Sequence, residues 1–202
     1  MRAMLAMQMA SASQVMATPE NKSADNHVAI TGALSFPDDI YRDGAFLMPL
    51  PGNWSATSSN SGSSNFRIAS ENGMPEAQAS LAVVAAAPPK SVQPLPNELK
   101  KMLGGVTFTD LRRSVIDKMI TTGGWVVNDR QREIGGHRVF EVIAQTPATS
   151  DGKSEQVWNY YFTEVKGRVY SLATRSVNAA NPKVAADAEQ FLSNFPSTEP
   201  KR

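Results

Sequence analysis

The 202-residue chain is 41% hydrophobic and 19% charged, and its 20 Lys and Arg stand against 19 Asp and Glu for a formal net charge of +1. That balance excludes the strong basic field on which nucleic-acid binding rests. The absence of cysteine excludes disulfides, thiol catalysis and thiolate metal sites, and no apolar run reaches the length that spans a bilayer.

Residues 1–17, "MRAMLAMQMASASQVMA", open with one cation, Arg2, and a mildly apolar stretch from Ala3 to Ala12. Val15-Met16-Ala17 offers modest side chains where a signal peptidase cleaves, so the segment reads as a secretory signal; the alternative is a Met- and Ala-rich tail. Residues 18–44 read as a linker or loosely docked lead-in, polar at first, then briefly apolar in "VAITGALSF". "PDDIYRDG" (37–44) carries turn chemistry, and its aspartates lack the alternating oxygen ligands of a calcium loop.

The domain proper is expected over 45–196. "AFLMPLPGNW" (45–54) reads as its first strand, with Phe46, Met48 and Leu50 on one face. The serine- and asparagine-rich 55–65 reads as a long flexible hairpin loop, followed by strands at 66–70 and 79–87. "NELKKMLGG" (97–105) spaces Leu99, Met102 and Leu103 as a helix closed by Gly104-Gly105. A second helix is expected over 110–124, capped by Thr109 or Asp110, with Leu111, Val115, Ile116, Met119 and Ile120 as its apolar stripe. Strands at 125–134 and 137–146 pair across Gly135-Gly136. A last helix begins with Asn181 as N-cap and Pro182 at the first position, buries Val184, Ala188, Phe191, Leu192 and Phe195, and stops at Pro196. Residues 197–202 form a tail.

The densest aromatic stretch is "WNYYFTEVKGRVYSLATR" (158–175). With Lys166-Gly167 as a two-residue turn, Phe162 opposes Ser171, Tyr160 opposes Ala173 and Trp158 opposes Arg175; on the other face Tyr161 opposes Leu172 and Thr163 opposes Tyr170. A glycine bulge at Gly167 would shift this register by one. The first face sets large rings beside small residues and leaves room over Ser171 and Ala173. The C-terminal helix is expected to fill that room; if it packs elsewhere, this face is where a partner would sit. Tyr161 and Tyr170 are the candidate partner-binding residues.

No catalytic constellation emerges. His27 and His137 are the only histidines, and His137, near Glu133 across the glycine turn, reads as a solvent-facing turn residue rather than a metal ligand. The glycine pairs lack a phosphate-cradling context, and Ser61 lacks a nucleophile elbow. No catalytic, metal or cofactor residue is assigned, and no cofactor is expected.

Three strands, a helical region, four strands and a helix, with antiparallel hairpins throughout, place helices on both sides of one sheet. The strand-Pro-x-x-Trp opening "LMPLPGNW", the mid-chain helix before paired hairpins, and "GRVYSLATRS" followed by "PKVAADAEQFLSNF" resemble the PsbP-like superfamily, which includes the bacterial DcrB-like proteins, over 45–196. The resemblance implies an α+β fold, an α/β/α sandwich around a central antiparallel sheet of about six or seven strands. It also implies a non-enzymatic role; members serve as extrinsic subunits, GTPase-binding proteins, envelope proteins and chaperones, and no functional site transfers residue by residue. The function expected is therefore that of an accessory or protein-interaction domain, periplasmic or exported, acting in the bacterial cell envelope on a protein partner. A cytoplasmic chaperone for an apolar segment of a secreted client is the alternative, and a small-ligand or lipid carrier a further one.

Overall fold

In the computed structural model, residues 40–43, 46–60, 63–69, 76–86, 100–150 and 152–196 are described. All of them fall within one unit, Phe36–Arg202. The signal-like 1–17, residues 18–39 of the lead-in, the first part of the expected helix at 97–105 and the 197–202 tail lie outside the described residues.

Strands β1 (Ile40–Asp43) and β2 (Phe46–Pro49) form a small hairpin of their own, so part of the segment with turn chemistry is strand. The main sheet uses β3 (Trp54–Asn60), β4 (Ser63–Ile68), β5 (Ala77–Ala86), β8 (Trp125–Ile134), β9 (His137–Thr146), β10 (Gln156–Val165) and β11 (Arg168–Val177). Among the described residues these seven strands run antiparallel in the order β3-β4-β5-β11-β10-β9-β8. β6 (Met102–Leu103) and β7 (Val106–Thr107) pair across Gly104-Gly105. Helix α1 spans Phe108–Thr121, and α2 spans Asn181–Ser193 behind a short 3₁₀ turn, Asn178–Ala180.

Two expectations yield to backbone pairing. The serine-rich 55–65 is not a loop: Trp54–Asn60 and Ser63–Ile68 pair as strands, because β4 still alternates, with Ser64, Phe66 and Ile68 buried and Asn65 and Arg67 exposed. Met102 and Leu103 are strand rather than helix, since the glycine pair after them folds the chain straight back into β7. Both glycines have positive φ, which suits that reversal.

The hairpin of β10 and β11 has the expected register: Phe162 opposes Ser171, Tyr160 opposes Ala173, Trp158 opposes Arg175 and Tyr161 opposes Leu172. Lys166 and Gly167 both have positive φ, the turn geometry that matches the twist of the flanking strands. Strand alternation then sends successive side chains to opposite faces, and each face meets a different helix.

Tyr160 and Phe162 join Phe140, Val142 and Ala144 beneath Leu111, Val115 and Met119 of α1. Thr107 caps α1: its hydroxyl accepts from the Asp110 amide at 3.0 Å and donates to the Asp110 carboxylate at 2.7 Å. The cap is thus two residues upstream of Thr109. Ile120, expected in the buried stripe, is 67% exposed, because only the 111/115/119 row faces the sheet.

Tyr161, Val165, Tyr170 and Leu172 form the opposite face with Trp54, Phe66 and Ile68, under Val184, Ala188, Phe191 and Leu192 of α2 and the following Phe195. Phe191 anchors this layer, stacked 5.5 Å from Trp54 and edge-on to Phe66 at 5.9 Å. Asn181 is the first residue of α2 and not its cap. Its side chain instead accepts from Asn159 Nδ2 at 2.6 Å, tying the helix start to β10. The C-terminal helix therefore packs on the face opposite to the one expected, and α1 takes the Tyr160–Phe162 face.

The far end of α2 approaches the β8–β9 turn so closely that a methyl at Gly135 would lie 2.4 Å from Ser193 Cα; Gly136 has open space around it. Both have positive φ. Gly135→Ala is expected to lower stability by about 2 kcal/mol more than Gly136→Ala, which carries the backbone strain alone. Denaturant midpoints of the two variants measure the difference, and equal losses would mean that the end of α2 is not held against this turn.

Candidate interaction surface

The pairing registers align one rung of long side chains across four strands on the α1 face. Arg67 on β4 opposes Gln78 on β5, Gln78 opposes Arg175 on β11, and Arg175 opposes Trp158 on β10. The adjacent rung is Asn65, Ser80, Ala173 and Tyr160. Its short members, Ser80 and Ala173, give the surface a floor, and the long members of the first rung give it a wall. Helix α1 packs over β8 and β9, at the other side of this face. The result is a recess of about 430 Å³ lined by Thr57, Arg67, Glu76, Gln78, Trp158 and Arg175, among others.

Its electrostatics are local. Arg67 pairs with Glu76 at the rim; the hydrogen bond from the guanidinium holds the Glu76 carboxyl below its ordinary range, and the same bond raises Arg67. Both groups are solvent-exposed, so the pair contributes little to folding. Arg175 is set differently. Its guanidinium carbon lies 5.3 Å from the centroid of the Trp158 ring, a cation–π contact that fixes the fork without consuming its hydrogen-bond donors. Tyr160, next along the strand, stacks at 6.2 Å from Trp158, and its hydroxyl donates to Met119 Sδ at 3.6 Å. Burial pushes the Tyr160 phenol up to about 12.

Tyr161 and Tyr170 are not on any surface. They are 0% and 1% exposed, in the layer beneath α2, because the odd face of β10 and the even face of β11 are the ones that α2 covers. Burial raises the Tyr161 phenol well above its ordinary value, with Glu141 and Glu189 adding to the shift. Its hydroxyl is buried with no hydrogen-bond partner among the described residues. Beside it, Glu141 is 2% exposed and accepts from Arg130 Nε at 2.6 Å and Arg132 Nη1 at 3.1 Å; Arg132 also reaches Glu189 on α2 at 2.7 Å. Two cations and two carboxylates balance there, so the cluster reads as a clamp between β8, β9 and α2 and not as an acid–base pair.

His137 is buried too, its Nε2 3.0 Å from the Phe195 carbonyl. The turn that was expected to expose it is instead covered by the chain leaving α2. Among the described residues no group of three or more His, Asp or Glu is placed to hold a metal, and no helix is long and apolar enough to cross a membrane.

A seven-stranded antiparallel sheet between α1 on one face and α2 on the other defines an α/β/α sandwich, and this is the PsbP-like fold. No family model matches the chain, and no curated protein does. Among solved structures, the solution structure of the cyanobacterial PsbP (CyanoP) of Synechocystis sp. PCC 6803 superposes with a TM-score of 0.51 at 14% identity, covering 84% of this chain and 98% of that one. PA94, a protein of unknown function from Pseudomonas aeruginosa, gives a TM-score of 0.46 at 15% identity over 80% of this chain and 97% of its own. At 14% identity the likeness to CyanoP speaks for the fold alone.

The buried tyrosines give a direct test. A phenol whose folded value lies above its unfolded value of about 10 stabilises the fold fully below that pH, and the contribution is lost as pH climbs towards 12. Tyr161→Phe removes one such group and an unpartnered hydroxyl. It is expected to match or exceed the parent's stability at neutral pH, by up to about 2 kcal/mol, and to unfold less steeply above pH 10. Urea unfolding at several pH values reads both effects, and a loss above about 1 kcal/mol at neutral pH would show that the hydroxyl has a partner.

Proposed function

We propose that this protein is a non-enzymatic accessory domain that works by binding another protein through the recess on the α1 face. The observation that carries the reading is the rung Arg67–Gln78–Arg175–Trp158, a row of long polar and aromatic side chains on an open stretch of sheet. Aromatic and arginine side chains together are what protein interfaces favour at their anchoring positions. The room over Ala173 that the hairpin register creates belongs to this recess, since α2 packs on the other face.

The lining also weighs among the readings. A chaperone for an apolar segment, or a lipid carrier, would present apolar walls; Arg67, Glu76, Gln78 and Arg175 suit a polar partner segment. Action in the cell envelope after export goes with the signal-like residues 1–17 and is part of the same proposal.

Photo-crosslinking in the native host, followed by fractionation, tests both parts. A crosslinker at Gln78 is expected to give one discrete adduct in the envelope fraction, while one at Asp117, exposed on α1, gives none. Equal adducts from both positions, or none from Gln78, would remove the recess as the binding surface. An adduct confined to the cytosol would remove export.

A further inference from the structure

Arg175 is the one group in the recess whose chemistry points to the kind of segment that docks there. Arg67 is already paired with Glu76, which leaves that couple neutral. Arg175, in contrast, has no carboxylate partner among the described residues, and its guanidinium rests on the Trp158 ring. It stands third in a rung whose neighbour on the other side, Gln78, carries both an amide donor and an amide acceptor. Short side chains, Ser80 and Ala173, occupy the next rung, so the guanidinium borders open space. A stacked guanidinium presents its fork edge-on and loses little rotamer freedom when a carboxylate arrives.

Resting on the reading of the recess as a protein-binding surface, we infer that it takes an acidic peptide segment, with one Asp or Glu carboxylate held by Arg175. Net charge complementarity selects that occupant: Arg67 and Glu76 cancel, and one positive charge remains, on Arg175. A basic segment would meet this charge without compensation. The Gln78 amide, one strand across, is placed to bond the backbone of the bound segment. The recess volume of about 430 Å³ accommodates a few residues rather than a folded domain.

The probe is a capped heptapeptide alternating Ser with Asp and Glu, titrated into the full chain by calorimetry with amide chemical-shift mapping. Its isosteric Asn/Gln counterpart and inorganic phosphate serve as the comparison ligands. The acidic peptide is expected to bind, to shift Gln78, Ser80 and Ala173 resonances, and to weaken as salt rises. Arg175→Gln is expected to weaken it by about tenfold or more, the worth of a charge-assisted bidentate contact. Arg113→Gln, exposed on α1, is expected to leave it within about twofold. Arg175→Glu is expected to reverse the preference towards the same peptide carrying Lys, a gain that a misfolded variant cannot show.

Equal weakening by Arg175→Gln and Arg113→Gln would overturn the inference, as would equal affinity for the Asn/Gln peptide. Phosphate binding as tightly as the acidic peptide would replace it with a small-anion site. No binding of the acidic peptide, together with a discrete Gln78 adduct in the host, would overturn the carboxylate preference and leave the protein-binding reading standing. Failure of both would remove the two together.

Discussion

Neither face of the central hairpin can be left to water. Strands β10 and β11 set Tyr160 and Phe162 on one side and Tyr161, Tyr170 and Leu172 on the other, and a large apolar side chain is worth about 1.5–3 kcal/mol when fully buried. One amphipathic helix cannot cover both sides of a sheet. The sequence therefore needs two, and α1 and α2 each carry one apolar row: Leu111, Val115 and Met119 in the first, Val184, Ala188, Phe191 and Leu192 in the second.

The geometry of that cover leaves a remainder. Seven strands spaced about 4.8 Å apart make a sheet roughly 29 Å across, while a helix with its side chains is about 10–12 Å wide. A single helix shields only part of a face. Helix α1 lies towards β8 and β9, and on the same face β3, β4, β5 and β11 carry Thr57, Asn65, Arg67, Gln78, Ser80 and Arg175. Beside α2, β8 and β9 carry a second polar group next to the buried Ile134 and Val139, but there Arg130, Glu141, Arg132 and Glu189 satisfy one another across strand and helix. The two polar regions differ in closure. The second is a neutral, internally paired clamp; the first keeps one cation stacked on Trp158 without a carboxylate among the described residues.

Much of this was legible in the residues because it depends on local rules. The hairpin register followed from a two-residue turn at Lys166-Gly167, and the buried row of α2 followed from helical spacing. What could not be read was which helix covers which face, because alternation makes the two faces of β10 equally apolar and no local rule ranks them. That ambiguity put Tyr161 and Tyr170 on the surface and α2 over Tyr160 and Phe162. It also concealed the recess: with 55–65 taken as a loop, Thr57 and Asn65 had no strand neighbours. The signal was present in the alternation of Ser64, Phe66 and Ile68 against Asn65 and Arg67, and of Ala77, Ala79 and Leu81 against Gln78 and Ser80. His137 and Asn181 escape local rules for a related reason, since a turn residue and the first residue of a helix are each recruited by a segment distant in sequence: Phe195 for His137, Asn159 for Asn181.

The sheet is covered unevenly, with α2 sealing one face and a stretch of the other face left open around Trp158 and Arg175. Paramagnetic relaxation by a small soluble gadolinium chelate tests it most directly in the full-length chain. Strong broadening of the Gln78 side-chain amide and the Arg175 guanidinium resonances is expected, with the Tyr161 and Tyr170 ring signals untouched. Sharp Gln78 and Arg175 signals beside a broadened Tyr161 ring would contradict this uneven cover.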